Sequence, residues 1–364
     1  MIETKIKILK RVDSILGKMA VRLWSAPSQQ IMGTSSFLLI RPGGIGDAVL
    51  LAPAIRALRR AYPEATIDLL AERRNAGIFS LVPEVNKVFH YDAPRELMAA
   101  LRRRYDVVID TEQWHRLSAV VARLTRTPLS IGFATNERGR LFAHQIPYSQ
   151  DEYEAISFLN LLKPLGIDKP AALPASFLSV PETAQLRAEG LLGDLSGKSF
   201  IAIFPGGSIP ERRWGAERFK GLTGILNAEG FPVVVIGGKM DTAAGEIIIA
   251  GNYGINLAGK TSLVETAAVI EKSAVLVSGD SGILHVGVGL GRPTVSLFGP
   301  GIAKKWAPRG EKHIVINKNL SCSPCTKFGY TPKCPISARC MAEIAVDEVA
   351  VAVAKLVRTG EAKR

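Results

Sequence analysis

The 364-residue chain is poor in several things, and each shortage excludes a class. It has four cysteines, all between residues 322 and 340, too few and too local for a disulfide scaffold. There is no low-complexity segment and no short repeat of fixed period, so solenoids and arrays are excluded. Hydrophobic residues make up 47% and charged residues 22%, ordinary globular usage, which excludes a disordered or collagen-like chain. A bilayer-crossing run needs about 20 mostly apolar residues, and basic residues interrupt every such window near the N-terminus. No apolar stretch leading to a small-residue cleavage site is found there either, so the expected location is the cytoplasm. Acid is also short: 33 Asp and Glu stand against 46 Lys and Arg, a formal net charge of +13. Such an excess suits an anionic partner: nucleic acid, a phosphorylated ligand or a membrane surface. No nucleic-acid-binding motif accompanies the charge.

The excess is uneven. Residues 1–35 carry Lys5, Lys7, Lys10, Arg11, Lys18 and Arg22 against Glu3 and Asp13, a net +4, while residues 36–180 carry +3 and residues 181–364 carry +6. In the first segment Ile8, Val12, Ile15, Leu16, Met19 and Leu23 recur at helical spacing among the bases. Two readings of this amphipathic helix stay open: docking on the protein's own core, or lying on an anionic membrane with Trp24 near the interface.

Beyond residue 35, short apolar runs alternate with helical patterns. Phe37–Ile40, Ala65–Leu70, Lys87–Tyr91 and Asp106–Ile109 read as strands in the first half. Phe200–Phe204, Pro232–Ile236, Ile255–Leu257, Val275–Val277 and Thr294–Phe298 do so in the second. Apolar strands separated by helices predict parallel sheets covered on both faces. Length suggests two domains, and residues 166–182, with Pro170, Pro174 and Pro181, read as the linker. The expected fold class is α/β, with two doubly wound Rossmann-like domains facing a central cleft. The divisions are a basic helix over 1–35, a first domain over 36–180, a second domain over 181–345, and a C-terminal helix and tail over 346–364.

Glycine-rich turns close several strands, the place where open α/β sheets bind ligands. Gly43, Gly44 and Gly46 follow the first strand, but the third glycine of a dinucleotide fingerprint is replaced by Val49. Asp47 stands at the start of the following helix. It would repel a pyrophosphate there, so it suits a proton acceptor or a plain helix-terminal carboxylate. Gly279-Asp280-Ser281-Gly282, with His285 one turn on, predicts a capped helix start whose free amides cradle an anion. Ser208 closes the turn after Phe200–Phe204, and Arg212, just before Arg213 and Trp214, offers a guanidinium for a diphosphate or a solvated charge. Arg102–Arg104, Arg138 and Arg140 read as solvated surface, or as contacts to a phosphorylated ligand. Gly254 to Thr261 fits a phosphate-loop pattern by letter, but Ser262 and Glu265 form a capping box that starts the helix too late for an NTPase. Cys322, Cys325, Cys334 and Cys340 permit a structural zinc site or free thiols, without a catalytic role.

Three separated stretches, Ile40–Ile55, Asn256–Leu263 and Ser278–Pro300, together resemble glycosyltransferase family 9, the ADP-heptose:lipopolysaccharide heptosyltransferases. The resemblance covers most of residues 36–345. It implies a GT-B fold, with 36–180 as the acceptor-binding and 181–345 as the donor-binding domain, and inverting, metal-independent transfer of heptose from ADP-L-glycero-D-manno-heptose to the inner core of lipopolysaccharide. It implies no cofactor. Asp47 would be the general base. Arg212, standing where the family usually has Lys, would bind the donor with Ser208, Asp280, Ser281, Gly282 and His285. Asp241 would meet the ribose. The implied partners are a nucleotide sugar, a lipopolysaccharide core or related glycolipid, and the cytoplasmic face of the inner membrane. A family member with another nucleotide sugar or acceptor, an NTPase, and a non-catalytic nucleotide-sugar binder are the alternatives.

Overall fold

The computed structural model describes residues 10–24, 34–327 and 330–361, so Ile8, Lys5 and Lys7 of the expected N-terminal helix lie outside the described residues. The chain divides into two compact units, residues 1–174 and 175–364.

The first unit is built on six parallel strands: β1 (Ser36–Arg41), β2 (Thr66–Ala71), β3 (Lys87–His90), β4 (Val107–Asp110), β5 (Leu129–Phe133) and β6 (His144–Ile146). Their spatial order is β3-β2-β1-β4-β5-β6. The second unit has β7 (Ile201–Phe204), β8 (Val233–Val235), β9 (Gly254–Asn256), β10 (Val275–Gly279), β11 (Thr294–Phe298) and β12 (His313–Asn317). They are also parallel, in the order β12-β11-β10-β7-β8-β9. Counted within its own unit, each sheet runs 3-2-1-4-5-6, the doubly wound order. The order reverses between β1 and β4 in one unit and between β7 and β10 in the other. Loops leave these paired strands in opposite directions, which opens a crevice at their carboxyl ends.

The inner strands, such as β1 through Phe37–Ile40 and β10 through Val275–Val277, are apolar and buried because helices cover both faces. In the first unit one face buries Leu38, Ile40, Leu70, Phe89 and Val108 under helices Pro94–Arg102 and Leu117–Leu124. In the second, Ile201, Val233, Val275 and Val295 pack with Trp214, Phe219 and Leu222. The C-terminal helix Val346–Glu361 belongs to this core through Val349, Val353 and Leu356.

Residues 10–23 are helical, with a π-helical turn over Asp13–Gly17. The helix docks on the first unit, but through its polar and small side chains. Asp13 is buried and accepts hydrogen bonds from the backbone N–H groups of Arg116 (2.6 Å) and Leu117 (2.7 Å), capping helix Leu117–Leu124. A Cβ on Gly17 would lie 2.9 Å from Arg116 Cβ, so the backbones approach where only glycine fits. Val21 completes the contact in the core. No helix of the described residues is long and apolar enough to cross a membrane.

Candidate active site

In the first unit, β1 ends at Arg41 and the chain turns through Pro42, Gly43 and Gly44 into helix Ile45–Ala61. Gly43 takes φ +103°, which a side chain would disfavour, and a Cβ there would sit 3.3 Å from Arg41 Nη2. Asp47 is partly exposed in the first turn of the helix, where free amides and the dipole favour an anion. A Cβ on Gly44 would lie 3.5 Å from Asp47 Oδ2, in ordinary contact, so Gly44 stands directly beside the carboxylate.

Beneath the loop lies a network that sequence reading missed. Arg41 is fully buried and donates Nε to Pro42 O (2.6 Å), Nη1 to Thr111 O (2.8 Å) and Nη2 to Glu112 Oε2 (2.9 Å). Thr111 and Glu112 follow β4, so the guanidinium bridges the two strands at the reversal of sheet order. Burial works against its charge, but the carboxylates of Asp47, Glu112, Glu154 and Asp110 outweigh that and hold its pKa above the usual arginine value. Burial likewise works against the Glu112 carboxylate, and Arg41 with His115 and Arg138 overcomes it, so Glu112 stays below its ordinary pKa. Gln113 Nε2 then donates to Glu154 Oε1 (2.6 Å), and Tyr148 donates its hydroxyl to Glu154 Oε2 (3.0 Å). The signal was present: a basic residue closing an apolar strand demands a buried partner.

Arg138 is corrected. It is neither solvated nor facing a ligand: it is completely buried, paired with Asp110 and donating to the carbonyls of Glu112 and His115. Of the Arg102–Arg104 run, Arg103 pairs with buried Asp68 at 3.2 Å and lies over the Phe89 and Tyr105 rings.

In the second unit the matching reversal point gathers the remaining residues. Arg212 ends the short turn Pro210–Arg212, and its Nη1 lies 3.2 Å from Asp280 Oδ2, just beyond β10. Trp214 holds that turn from behind: its ring is buried edge-on to Phe219, and Nε1 donates to Ile344 O (3.0 Å). Asp280 is buried; desolvation raises its pKa, and the Arg212 charge opposes the rise. Ser281 caps helix Gly282–Gly289, accepting from Leu284 N at 3.2 Å and contacting Ser278 Oγ at 2.8 Å. His285 lies inside this helix, buried and facing Trp306, and desolvation pulls its pKa down to about 4, so the ring is neutral at pH 7. Arg212 Nε and His285 Nδ1 are buried without a hydrogen-bond partner, a concentration of unmet polar capacity that a bound polar ligand would satisfy.

Ser208 is exposed in the loop after β7. Asp241 accepts from Gly238 N at 2.9 Å, and its carboxylate packs so closely that a Cβ on Gly206 would lie 2.6 Å from Oδ1. The carboxylate therefore sits where the loops after β7 and β8 meet. The phosphate-loop pattern is not built as one: Gly254–Asn256 is strand β9, and the next helix begins after Ser262, whose hydroxyl accepts from Glu265 N while Glu265 accepts from Ser262 N.

Cys322, Cys325, Cys334 and Cys340 line one small cavity with Glu211 and Arg339, and all four are free thiols. Burial pushes Cys325 and Cys340 up, keeping them protonated. Among the described residues, no three His, Cys, Asp or Glu side chains are arranged to hold a metal ion, so the spacing that permits a zinc site does not assemble a ligand set.

Comparison with known proteins agrees with this architecture. Lipooligosaccharide heptosyltransferase 2 of Haemophilus ducreyi is 27% identical over 77% of this chain and 87% of its own length. Lipopolysaccharide heptosyltransferase 2 of Escherichia coli K12 is 28% identical over 77% and 87%. Among solved structures, E. coli ADP-heptose lps heptosyltransferase II superposes with a TM-score of 0.73 at 24% identity, covering 90% of this chain and 99% of that one. A glycosyltransferase family 9 structure from Veillonella parvula gives 0.77 at 20%, covering 91% and 100%. These likenesses establish the GT-B fold with its two Rossmann-like units. The model of glycosyltransferase family 9 (heptosyltransferase) matches residues 95–334, and the chain is therefore a glycosyltransferase that belongs to that family.

Proposed function

We propose that the protein transfers a heptose from ADP-L-glycero-D-manno-heptose to the inner core of lipopolysaccharide, with inversion and without a metal ion in the chemical step. The observation that carries this reading is Asp47. It is a carboxylate in the first turn of the helix that follows β1, beside the buried Arg41, in a loop that would otherwise cradle a phosphate. A negative charge there repels a diphosphate and suits a base.

In the reaction, an acceptor hydroxyl oxygen attacks the anomeric carbon of the donor sugar and its proton passes to the Asp47 carboxylate. The bond from the anomeric carbon to the β-phosphate oxygen breaks, and ADP leaves with the electron pair. Attack opposite the leaving group inverts the centre through an oxocarbenium-like transition state. Charge grows on the departing diphosphate. Arg212 and the amides at Gly282 are fixed donors for it, and stabilisation of this kind is commonly the largest catalytic contribution. Asp280 orients Arg212, Ser281 fixes the helix start, and neutral His285 offers a hydrogen bond without a charge. Asp241 and Ser208 meet the nucleoside side of the donor. Arg41 lies behind Asp47, and the two opposite charges interact. The named relatives are heptosyltransferases of lipopolysaccharide or lipooligosaccharide, which supports a glycolipid acceptor.

The test is Asp47→Asn. Titration with ADP-heptose should show donor binding near that of the wild type, while ADP release with a lipopolysaccharide core acceptor falls by about 10²–10⁴. Near-normal transfer removes Asp47 as the base. A parallel binding screen of other nucleotide sugars decides the donor, and a tighter fit for a different one overturns the heptose assignment.

A further inference from the structure

The N-terminal helix is docked the wrong way round for a helix that exists to fill a core. Its contact with the first unit uses Asp13, Gly17 and Val21, spaced i, i+4, i+8. Its large apolar side chains point away: Ile15, Leu16, Met19 and Leu23 are 63, 56, 58 and 79% exposed, and Trp24 is 40% exposed. Lys10, Arg11, Lys18 and Arg22 are exposed alongside them. The one acidic residue of this stretch, Asp13, is buried against helix Leu117–Leu124 and unavailable to offset them. The outer face of the helix is therefore both apolar and cationic, and the nearby Glu137, which interacts with Lys18, is paired with Arg116 at 2.9 Å.

We infer that helix 10–23 is an in-plane anchor that seats the first unit on an anionic phospholipid surface. Ile15, Leu16, Met19 and Leu23 enter the acyl boundary, and Arg11, Lys18 and Arg22 meet lipid phosphates. Burial of an apolar stripe together with attraction of bases to anionic headgroups is how such helices bind. A second copy of the chain is a poor occupant, because a two-fold pairing of this face would set like charges against each other. The Asp13 latch gives the anchor a fixed orientation. Asp13 holds the N–H groups of Arg116 and Leu117, while Glu112, in the same loop, accepts from Trp114 N and His115 N and holds Arg41. The loop that grips the membrane helix thus also builds the wall behind Asp47. A glycolipid acceptor with its chains in that bilayer would present its sugars to this unit.

The inference draws on the lipid-linked acceptor proposed above, but its test needs neither donor nor acceptor. Full-length protein is sedimented with vesicles of phosphatidylethanolamine and phosphatidylglycerol, and with phosphatidylcholine vesicles. The wild type is expected to pellet with the anionic vesicles, less with the neutral ones, and less as salt rises. Ile15→Ser/Met19→Ser/Leu23→Ser should weaken binding by roughly tenfold or more, and Lys18→Glu/Arg22→Glu comparably. Thermal unfolding of both variants should match the wild type, because none of these side chains is in the core. Transfer to a water-soluble core acceptor should be unchanged. The inference is overturned if the wild type stays in the supernatant, or if the triple-serine variant pellets equally. It is also overturned if the wild type forms vesicle-independent oligomers that the variants dissolve. Failure of the transferase reading would look different: vesicle binding intact, with no transfer to any acceptor.

Discussion

Replacing Arg212 with glutamine isolates the electrostatics of the second-unit site. Asp280 is buried with its Oδ2 3.2 Å from Arg212 Nη1, and the guanidinium is the charge that opposes the cost of desolvating the carboxylate. At that distance and an effective dielectric of about 20, the attraction is about 5 kcal/mol before desolvation is counted. Breaking a buried pair by removing one partner typically costs about 3–5 kcal/mol. The protein has one escape, which is to protonate Asp280. Holding a carboxyl of ordinary pKa neutral at pH 7 costs about 4 kcal/mol, at about 1.4 kcal/mol per pH unit, so the escape limits the loss and gives it a pH signature. A carboxyl whose folded pKa is raised above its unfolded value leaves stability untouched below the unfolded value. Stability is then lost as pH rises toward the folded pKa. The variant should therefore match the wild type near about pH 4 and fall short by about 3–4 kcal/mol near about pH 8. Urea unfolding across this range, read by tryptophan fluorescence with Trp214 buried in the same unit, measures the deficit. Arg212→Lys should recover much of it, since the charge remains. A deficit that does not change with pH, or that stays under about 1 kcal/mol at high pH, refutes the reasoning.

His285 carries the opposite linkage. Its folded pKa is drawn down to about 4, so its contribution is complete above the unfolded value near 6.5 and is lost as pH falls toward 4. Over that window the loss is about 3 kcal/mol, and His285→Phe should flatten this part of the stability–pH curve; an unchanged slope would place the titration elsewhere. Gly132→Ala should destabilise the first unit by about 2–3 kcal/mol, because the added Cβ would overlap the Phe142 ring in the core. Calorimetry that detects a shift below about 1 kcal/mol would mean that Phe142 yields freely. The Asp47→Asn and N-terminal helix variants described above complete the set.

Much of the fold could be read from local pattern. Continuous apolar runs closed by glycine, such as Thr294–Phe298, mark buried parallel strands, because a strand covered on both faces has no polar side. The strands that escaped were β5, β6 and β12. His144–Ile146 has three residues, one of them a glutamine, and His313–Asn317 stands at the sheet edge with a mixed burial pattern. β6 and β12 are edge strands with one hydrogen-bonded neighbour and a weaker apolar demand, whereas β5 is buried inside the sheet and its apolar run is interrupted by Ser130 and Gly132. The helix-start position of Asp47 and the cap at Ser281 were legible because both are local chemistry. The Arg41–Glu112 clamp was not, since its partners lie 71 positions apart and meet only where β1 and β4 pair.

The sequence alone determined the alternation of strand and helix, the glycine turns at strand ends and the capping box at Ser262, all of which depend on neighbours within a few residues, and its three separated stretches carried the family resemblance. The tertiary structure decided what sequence spacing cannot encode. It brought Arg212 to Asp280 across the reversal of sheet order and sank Arg138 beside Asp110. It also chose which face of the N-terminal helix touches the protein. Periodicity placed the apolar residues of that helix on one side, and an acid–amide latch at Asp13 with a glycine contact at Gly17 turned that side outward. Long-range pairing sets these outcomes, because a buried charge goes where a partner of opposite charge and a set of free amides can hold it.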